Sequence, residues 1–213
     1  AGWRKVVTVG SDYVGGLEVN GSFARVFCSL GGRIVQELWP PLGTPDFAPF
    51  ITQIDRSADA VIEFTPGADG LRFGRQYLEY GLKIPLMDVY AQVSVEANLR
   101  QFGDGAVGWY STIHYTAAVD TPENKRFLAA WEKKHQRIPF DNAADGYVGA
   151  KAIAEALKAT NGKVEDKEAF MAALRKAEFD SPKGRVHLDQ FQNVVQSQYI
   201  RKVERVGGEL VNV

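Results

Sequence analysis

The chain of 213 residues has one cysteine, Cys28, so no disulfide can form within it. Cys28 lies in VFCSL on an apolar helical stretch, where a buried, inert thiol is expected rather than a nucleophile. Charge of neither sign is in excess. The 25 Lys and Arg against 26 Asp and Glu give a formal net charge of −1, which supplies no electrostatic reason for nucleic acid or an anionic membrane to be a partner. The densest basic group, Arg201, Lys202 and Arg205, is interrupted by Val203 and Glu204 and reads as one solvated strand face. No apolar run approaches the ~20 residues of a membrane span. The opening AGWRKVV has no basic-then-apolar leader, so a secretory signal is expected to have been removed or never to have existed. Internal repeats and low-complexity segments are also lacking.

Catalytic patterns are equally scarce. The three histidines, His114, His135 and His187, have no pairwise metal spacing, and no serine occupies a G-x-S-x-G elbow. In TVGSDYVGGLEVN (8–20), a strand runs through Gly10 into small polar residues and a helix, as in many phosphate loops. Gly10, Gly15 and Gly16 fit neither G-x-G-x-x-G nor G-x-x-x-x-G-K-[ST], and bulky Tyr13 stands where backbone would approach a pyrophosphate. A nucleotide is therefore not expected. Ser11 or Asp12 is expected to cap the following helix, while Tyr13 offers both a stacking face and a hydroxyl. Glu63 and Asp88 could pair as carboxylates, but only Asp88 stands at a strand end. On these residues an enzyme is the weaker class, and neither a cofactor nor a metal is expected.

What is present is rhythm. KVVTV (5–9), RIVQEL (33–38), AVIEFT (60–65), IPLMDV (84–89) and GWYSTIHY (108–115) read as strands. Helices are expected over 14–30, after Asp46 through Ile54, over 67–81 and near 94–101. This alternation predicts an α/β fold with a parallel, Rossmann-like sheet covered on both faces. Right-handed crossovers then bring the loops after Gly10, Thr65 and Asp88 to one edge, where ligands bind in such sheets. From 121 the texture changes to three helices, the first with Thr121 as N-cap and Pro122 at its first position. Tyr147, at helical spacing in the second, reads as core. After SPKG (181–184) strands return, ending in a hairpin with Gly207-Gly208 at its turn.

KVVTVGSDYVGGLEVNGSFARVFCSLGGRIVQELWPPLGTPDFAPFITQI resembles the second lobe of a type I periplasmic binding protein, in particular the receptors of branched-chain (hydrophobic) amino acid ABC transporters. The resemblance continues through ADAVIEFTPGADGLRFGRQYLEYGLKIPL, PENKRFLAAWEKKHQRIPFDNAADGYVGAKAIAEAL and the terminal hairpin. It implies a periplasmic, two-lobed clamp that closes on a small ligand between its lobes and delivers it to a membrane permease. It also implies the domain plan: 1–117 as second lobe, 118–182 as helices of the first lobe, and 183–213 returning to the second. The leading strands of the first lobe are absent from this plan, so that segment is expected as a separate chain, a clipped piece or a swapped partner. Residue by residue, Tyr13 matches the aromatic covering the ligand, with Ser11 and Asp12 beside it. Thr65, Pro66 and Gly67 match the next strand-end loop, and Asn142 matches a cleft-lining side chain of the first lobe. Where amino-acid-binding members carry an acid for the ligand's ammonium, the alignment places Tyr90; a shift of one or two residues places Asp88. Tyr90 favours an aromatic or other hydrophobic acid, whereas Asp88 favours a branched-chain amino acid. A ligand-sensing regulator or receptor domain on the same fold is the remaining alternative.

Overall fold

The computed structural model describes residues 2–91 and 93–213. The chain forms two compact units, residues 1–112 with 200–213 and residues 113–199.

In unit 1, β1 (Lys5–Gly10) is buried from Val6 onward, as befits a strand covered on both faces. It is followed by α1 (Val14–Ser29), β2 (Arg33–Leu38), α2 (Ala48–Ile51), the wholly buried β3 (Ala60–Phe64), α3 (Ala68–Glu79), β4 (Leu86–Val89), α4 (Glu96–Phe102) and β5 (Tyr110–Ile113). The chain returns as the antiparallel hairpin β9 (Tyr199–Val206) and β10 (Glu209–Asn212). The sheet has seven strands in the order β10-β9-β5-β4-β3-β1-β2, and β2, β1, β3, β4 and β5 are parallel. Period-2 alternation sorts the strand residues. Val7, Val9, Val61 and Leu86 meet Phe47, Phe73, Tyr77 and Leu99 on one face. Val6, Ala60 and Ile62 meet Phe23 and Phe27 of α1 on the other. The Tyr77 hydroxyl, raised by burial, donates to the Ile84 carbonyl at 2.7 Å, which satisfies the one polar group this large ring brings inside.

Two local expectations change. The helix after Asp46 is a single turn, although Asp46 does accept from Ala48 N–H at 3.0 Å. Bonds from Gln53 to Phe50 and from Ile54 to Ile51 tighten the chain into turns there. Cys28 is exposed rather than buried. Phe23 and Phe27, stacked at 5.2 Å one helical turn apart, take the sheet-facing stripe of α1 and turn Cys28 away from it.

Unit 2 contains α5 (Pro122–His135), α6 (Asp141–Ala159), α7 (Lys167–Arg175) and a small antiparallel sheet of β6 (Glu178–Ser181), β7 (Gly184–Leu188) and β8 (Val194–Val195). Thr121 caps α5 by accepting from Asn124 N–H at 3.2 Å. The core joins Tyr115, Phe127 and Ala144 with Trp131 and Tyr147. The Tyr147 hydroxyl donates to Glu123, which Lys151 and Arg126 also hold; these donors depress the Glu123 carboxyl to about 2. The unit boundary falls after Tyr199. Residues 183–199 stay in unit 2 because β7 pairs with β6 and β8, and β6 packs on α5 and α6. Among the described residues, no helix is long and apolar enough to cross a membrane.

Candidate ligand site at the sheet edge

The parallel register brings the ends of β1, β3 and β4 together: Gly10 lies opposite Phe64, and Glu63 opposite Asp88. Three loops leave this edge. In the first, Ser11 is fully buried and donates its N–H to the Phe64 carbonyl at 3.1 Å, while its own carbonyl accepts from Tyr13 N–H at 2.8 Å. Asp12 is exposed and donates its N–H to the Pro40 carbonyl at 2.8 Å. The residue at the N-cap of α1 is Tyr13, in extended conformation and with no side-chain cap bond. The expected capping by Ser11 or Asp12 is therefore not made. The chain instead crosses straight from the sheet into the helix, held by backbone bonds. Gly16 permits this crossing, because a Cβ there would lie 1.9 Å from the Ser11 carbonyl oxygen. Gly16→Ala is expected to destabilise the fold by about 3 kcal/mol, the upper range for forced overpacking. Gly21→Ala, where no atom lies within 4 Å of the added Cβ, should instead gain ~0.5–1 kcal/mol. Urea unfolding of the two variants measures the contrast.

In the second loop, Thr65 is fully buried and donates both its N–H (2.5 Å) and its hydroxyl to Glu63 Oε1. Pro66 is half-buried and Gly67 exposed. Gly67 adopts φ 62°, ψ −127°, a conformation open only to glycine at ordinary cost. In the third loop, Asp88 is fully buried, and its Oδ2 accepts from Val93 N–H (2.9 Å), Ser94 N–H (2.6 Å) and Ser94 Oγ (2.7 Å). The turn it holds carries Tyr90 and Ala91, both non-glycine residues at positive φ (62° and 48°). Tyr90 remains 45% exposed. Asp88 thus serves the loop from behind, and to meet a ligand ammonium it would have to release these donors.

Three rings line up at this edge: half-buried Tyr13 and exposed Tyr90 flank Phe64, itself only 8% exposed. Tyr13 stacks on Phe64 with centroids 6.5 Å apart and planes 16° from parallel. Phe64 meets Tyr90 edge to face at 6.3 Å and 70°. From sequence, Phe64 reads as core, because it is an aromatic at the last position of a buried strand. Its place before Thr65-Pro66-Gly67 was the available signal. The row offers an aromatic surface with a phenol hydroxyl on each outer ring, suited to a flat apolar body carrying polar substituents.

Of the expected site residues, Ser11, Asp12, Tyr13, Thr65, Pro66, Gly67, Asp88 and Tyr90 all belong to unit 1, and Asn142 belongs to unit 2. Asn142 is exposed in the first turn of α6. Nearby, His114 Nε2 lies 3.1 Å from Asp145 Oδ2, and the ligand atoms of His114, Asp141 and Asp145 fall within 4.8 Å of one another. The Lys183 ammonium, however, is already bound to Asp145, and Asp141 starts a helix; both features oppose a cation.

The chain matches the family model described as periplasmic binding protein over residues 1–208. The Leu/Ile/Val-binding protein homolog 6 of Brucella melitensis is 32% identical over 212 residues, covering 96% of this chain and 54% of that protein. An ABC transporter substrate-binding protein from Sphaerobacter thermophilus superposes with a TM-score of 0.92 at 37% identity, covering 100% of this chain and 59% of that one. A solute binding protein of an ABC transporter from Rhodopseudomonas palustris BisB5, solved in complex with 3,4-dihydroxy benzoic acid, superposes with a TM-score of 0.88 at 38% identity and the same coverage. The chain spans 54% of the curated relative's length and 59% of each of these structures.

Proposed function

The chain belongs to the periplasmic binding protein family, and on that premise we propose that it serves as the solute-capturing component of an ABC importer in the periplasm. Its ligand is a small aromatic carboxylate, and its membrane partner is the importer's permease. The observation that carries this reading is the row Tyr13–Phe64–Tyr90 along the sheet edge, which presents ring faces and edges where an amino-acid receptor would present an acid. Tyr13, Tyr90, Pro66 and Gly67 supply the contact surface. Ser11, Thr65 and Asp88 fix the loops behind it. Capture and release make and break no covalent bond, so the role requires no catalytic group. The protein from Rhodopseudomonas palustris, with its bound dihydroxybenzoic acid, supports the ligand class. The Brucella relative's name supports branched-chain amino acids as the second reading.

A thermal-shift panel of benzoate, 3,4-dihydroxybenzoate and cinnamate against leucine and valine separates the two. At a hundredfold excess over Kd, a true ligand stabilises by about 2.7 kcal/mol. In a chain of this size that is a rise of roughly 5–10 °C. The rise is expected with the aromatic acids, and a rise with leucine or valine alone would reverse the assignment.

A further inference from the structure

Behind the aromatic row stand two carboxyl groups in contact. Glu63 and Asp88 are direct partners across β3 and β4, and both have zero exposure. Oε1 of Glu63 is occupied by the two Thr65 donors. Its Oε2 meets no donor among the described residues, yet the Glu63 and Asp88 side chains are hydrogen-bond neighbours. Two carboxylates cannot bond to each other without a proton between them, and two adjacent buried negative charges repel strongly. Asp88, which accepts three donors through Oδ2, is the member built to be ionised.

We propose that Glu63 and Asp88 are positioning residues of the ligand site: Glu63 carries a proton and donates it to Asp88, and this shared proton clamps the Thr65–Gly67 loop to the Val93–Ser94 segment that Asp88 holds, so fixing Phe64 and Tyr90 in one wall. The wall's role in binding rests on the proposed function above; the clamp itself does not. Burial, reinforced by the charge of Asp88, pushes the Glu63 carboxyl well above the usual glutamate range. Among the described residues, the following groups stand on the surrounding elements. On β1 the partner of Glu63 is Val9, and on β5 the partner of Asp88 is Ser111. Arg201 of β9 donates from Nε to Ser111 Oγ at 3.2 Å. On α3, which meets Thr65 through Gly70, Asp69 is bound by Arg72. α1 presents Phe23 and Phe27 to its side of the sheet.

The sign of the pH dependence follows. The folded chain keeps a proton that the unfolded chain releases. Stability is therefore complete below the ordinary glutamate pKa and falls as pH rises toward the folded value. Glu63→Gln keeps both halves of the clamp, since its carbonyl can accept from Thr65 and its amide can donate to Asp88, but it cannot titrate. Glu63→Ala keeps neither. The experiment is to titrate wild type, Glu63→Gln and Glu63→Ala with 3,4-dihydroxybenzoate, and to unfold each without ligand between about pH 5 and 9. Glu63→Ala should bind about tenfold more weakly or worse, while Glu63→Gln should stay within about threefold of wild type. The folding constant of Glu63→Gln should gain on wild type by about tenfold per pH unit until the folded pKa of Glu63 is reached. Parallel wild-type and Glu63→Gln unfolding curves, or Glu63→Gln binding as poorly as Glu63→Ala, would overturn the proposal. If none of the proteins binds the probe, the ligand reading fails, and the ligand-free unfolding curves alone decide the clamp.

Discussion

Asp88→Ala is expected to cost the fold about 3–5 kcal/mol, the range for removing one partner of a buried charged network. The loss has a definite origin. Val93 N–H, Ser94 N–H and Ser94 Oγ all donate to Asp88 Oδ2 in a site with no exposure. Removing the acceptor leaves three buried donors without their partner, and water cannot replace it at a fully covered strand end. The same deletion frees the turn in which Tyr90 and Ala91 are held at positive φ, a conformation that persists only while its surroundings impose it. Affinity should therefore fall along with stability. Asp88→Asn is the informative control. Its carbonyl oxygen can accept from the Val93–Ser94 turn while its amide donates to Glu63, so its loss should be less than half that of alanine. Urea unfolding measures both. A cost below about 1 kcal/mol for the alanine variant would show that the turn does not depend on this carboxylate.

The second large effect concerns the ligand. Tyr13→Ala and Tyr90→Ala should each weaken binding of 3,4-dihydroxybenzoate by about 1–2 kcal/mol, roughly 5- to 30-fold, through lost ring contact and buried area. The corresponding phenylalanine variants isolate the hydroxyls and should lose ~0.5–1.5 kcal/mol wherever a hydroxyl meets the ligand. Phe64 packs against both tyrosines. Combining Phe64→Leu with either alanine variant should therefore give non-additive losses, as residues in contact do. Additive and negligible losses by calorimetric titration would place the ligand elsewhere.

Much of unit 1 was legible because its strands are short apolar runs separated by helical periods, and topology then forces their ends to one edge. The loops after Gly10, Thr65 and Asp88, with Tyr13 in the first, are legible on that basis, whereas Tyr90 comes only from the family resemblance. Phe64 is not legible, since a strand-end aromatic and a core aromatic look alike in sequence. The Glu63–Asp88 contact was visible only as two acids in neighbouring strands. Their juxtaposition depends on a register that a shift of one residue would destroy. Ser11 and Asp12 are good caps in general, but here their backbone groups are committed across the sheet edge and neither side chain caps α1. In unit 2, EFDS (178–181) is too short and too polar to read as a strand, yet its alternating burial and its pairing with β7 make it one.

The most direct test of the ligand assignment is isothermal titration of the protein with 3,4-dihydroxybenzoate in the absence and presence of excess leucine. Saturable binding of the aromatic acid, undisturbed by leucine and weakened by Tyr13→Ala, is the predicted result. Saturable binding of leucine, with no heat from the aromatic acid, would contradict it.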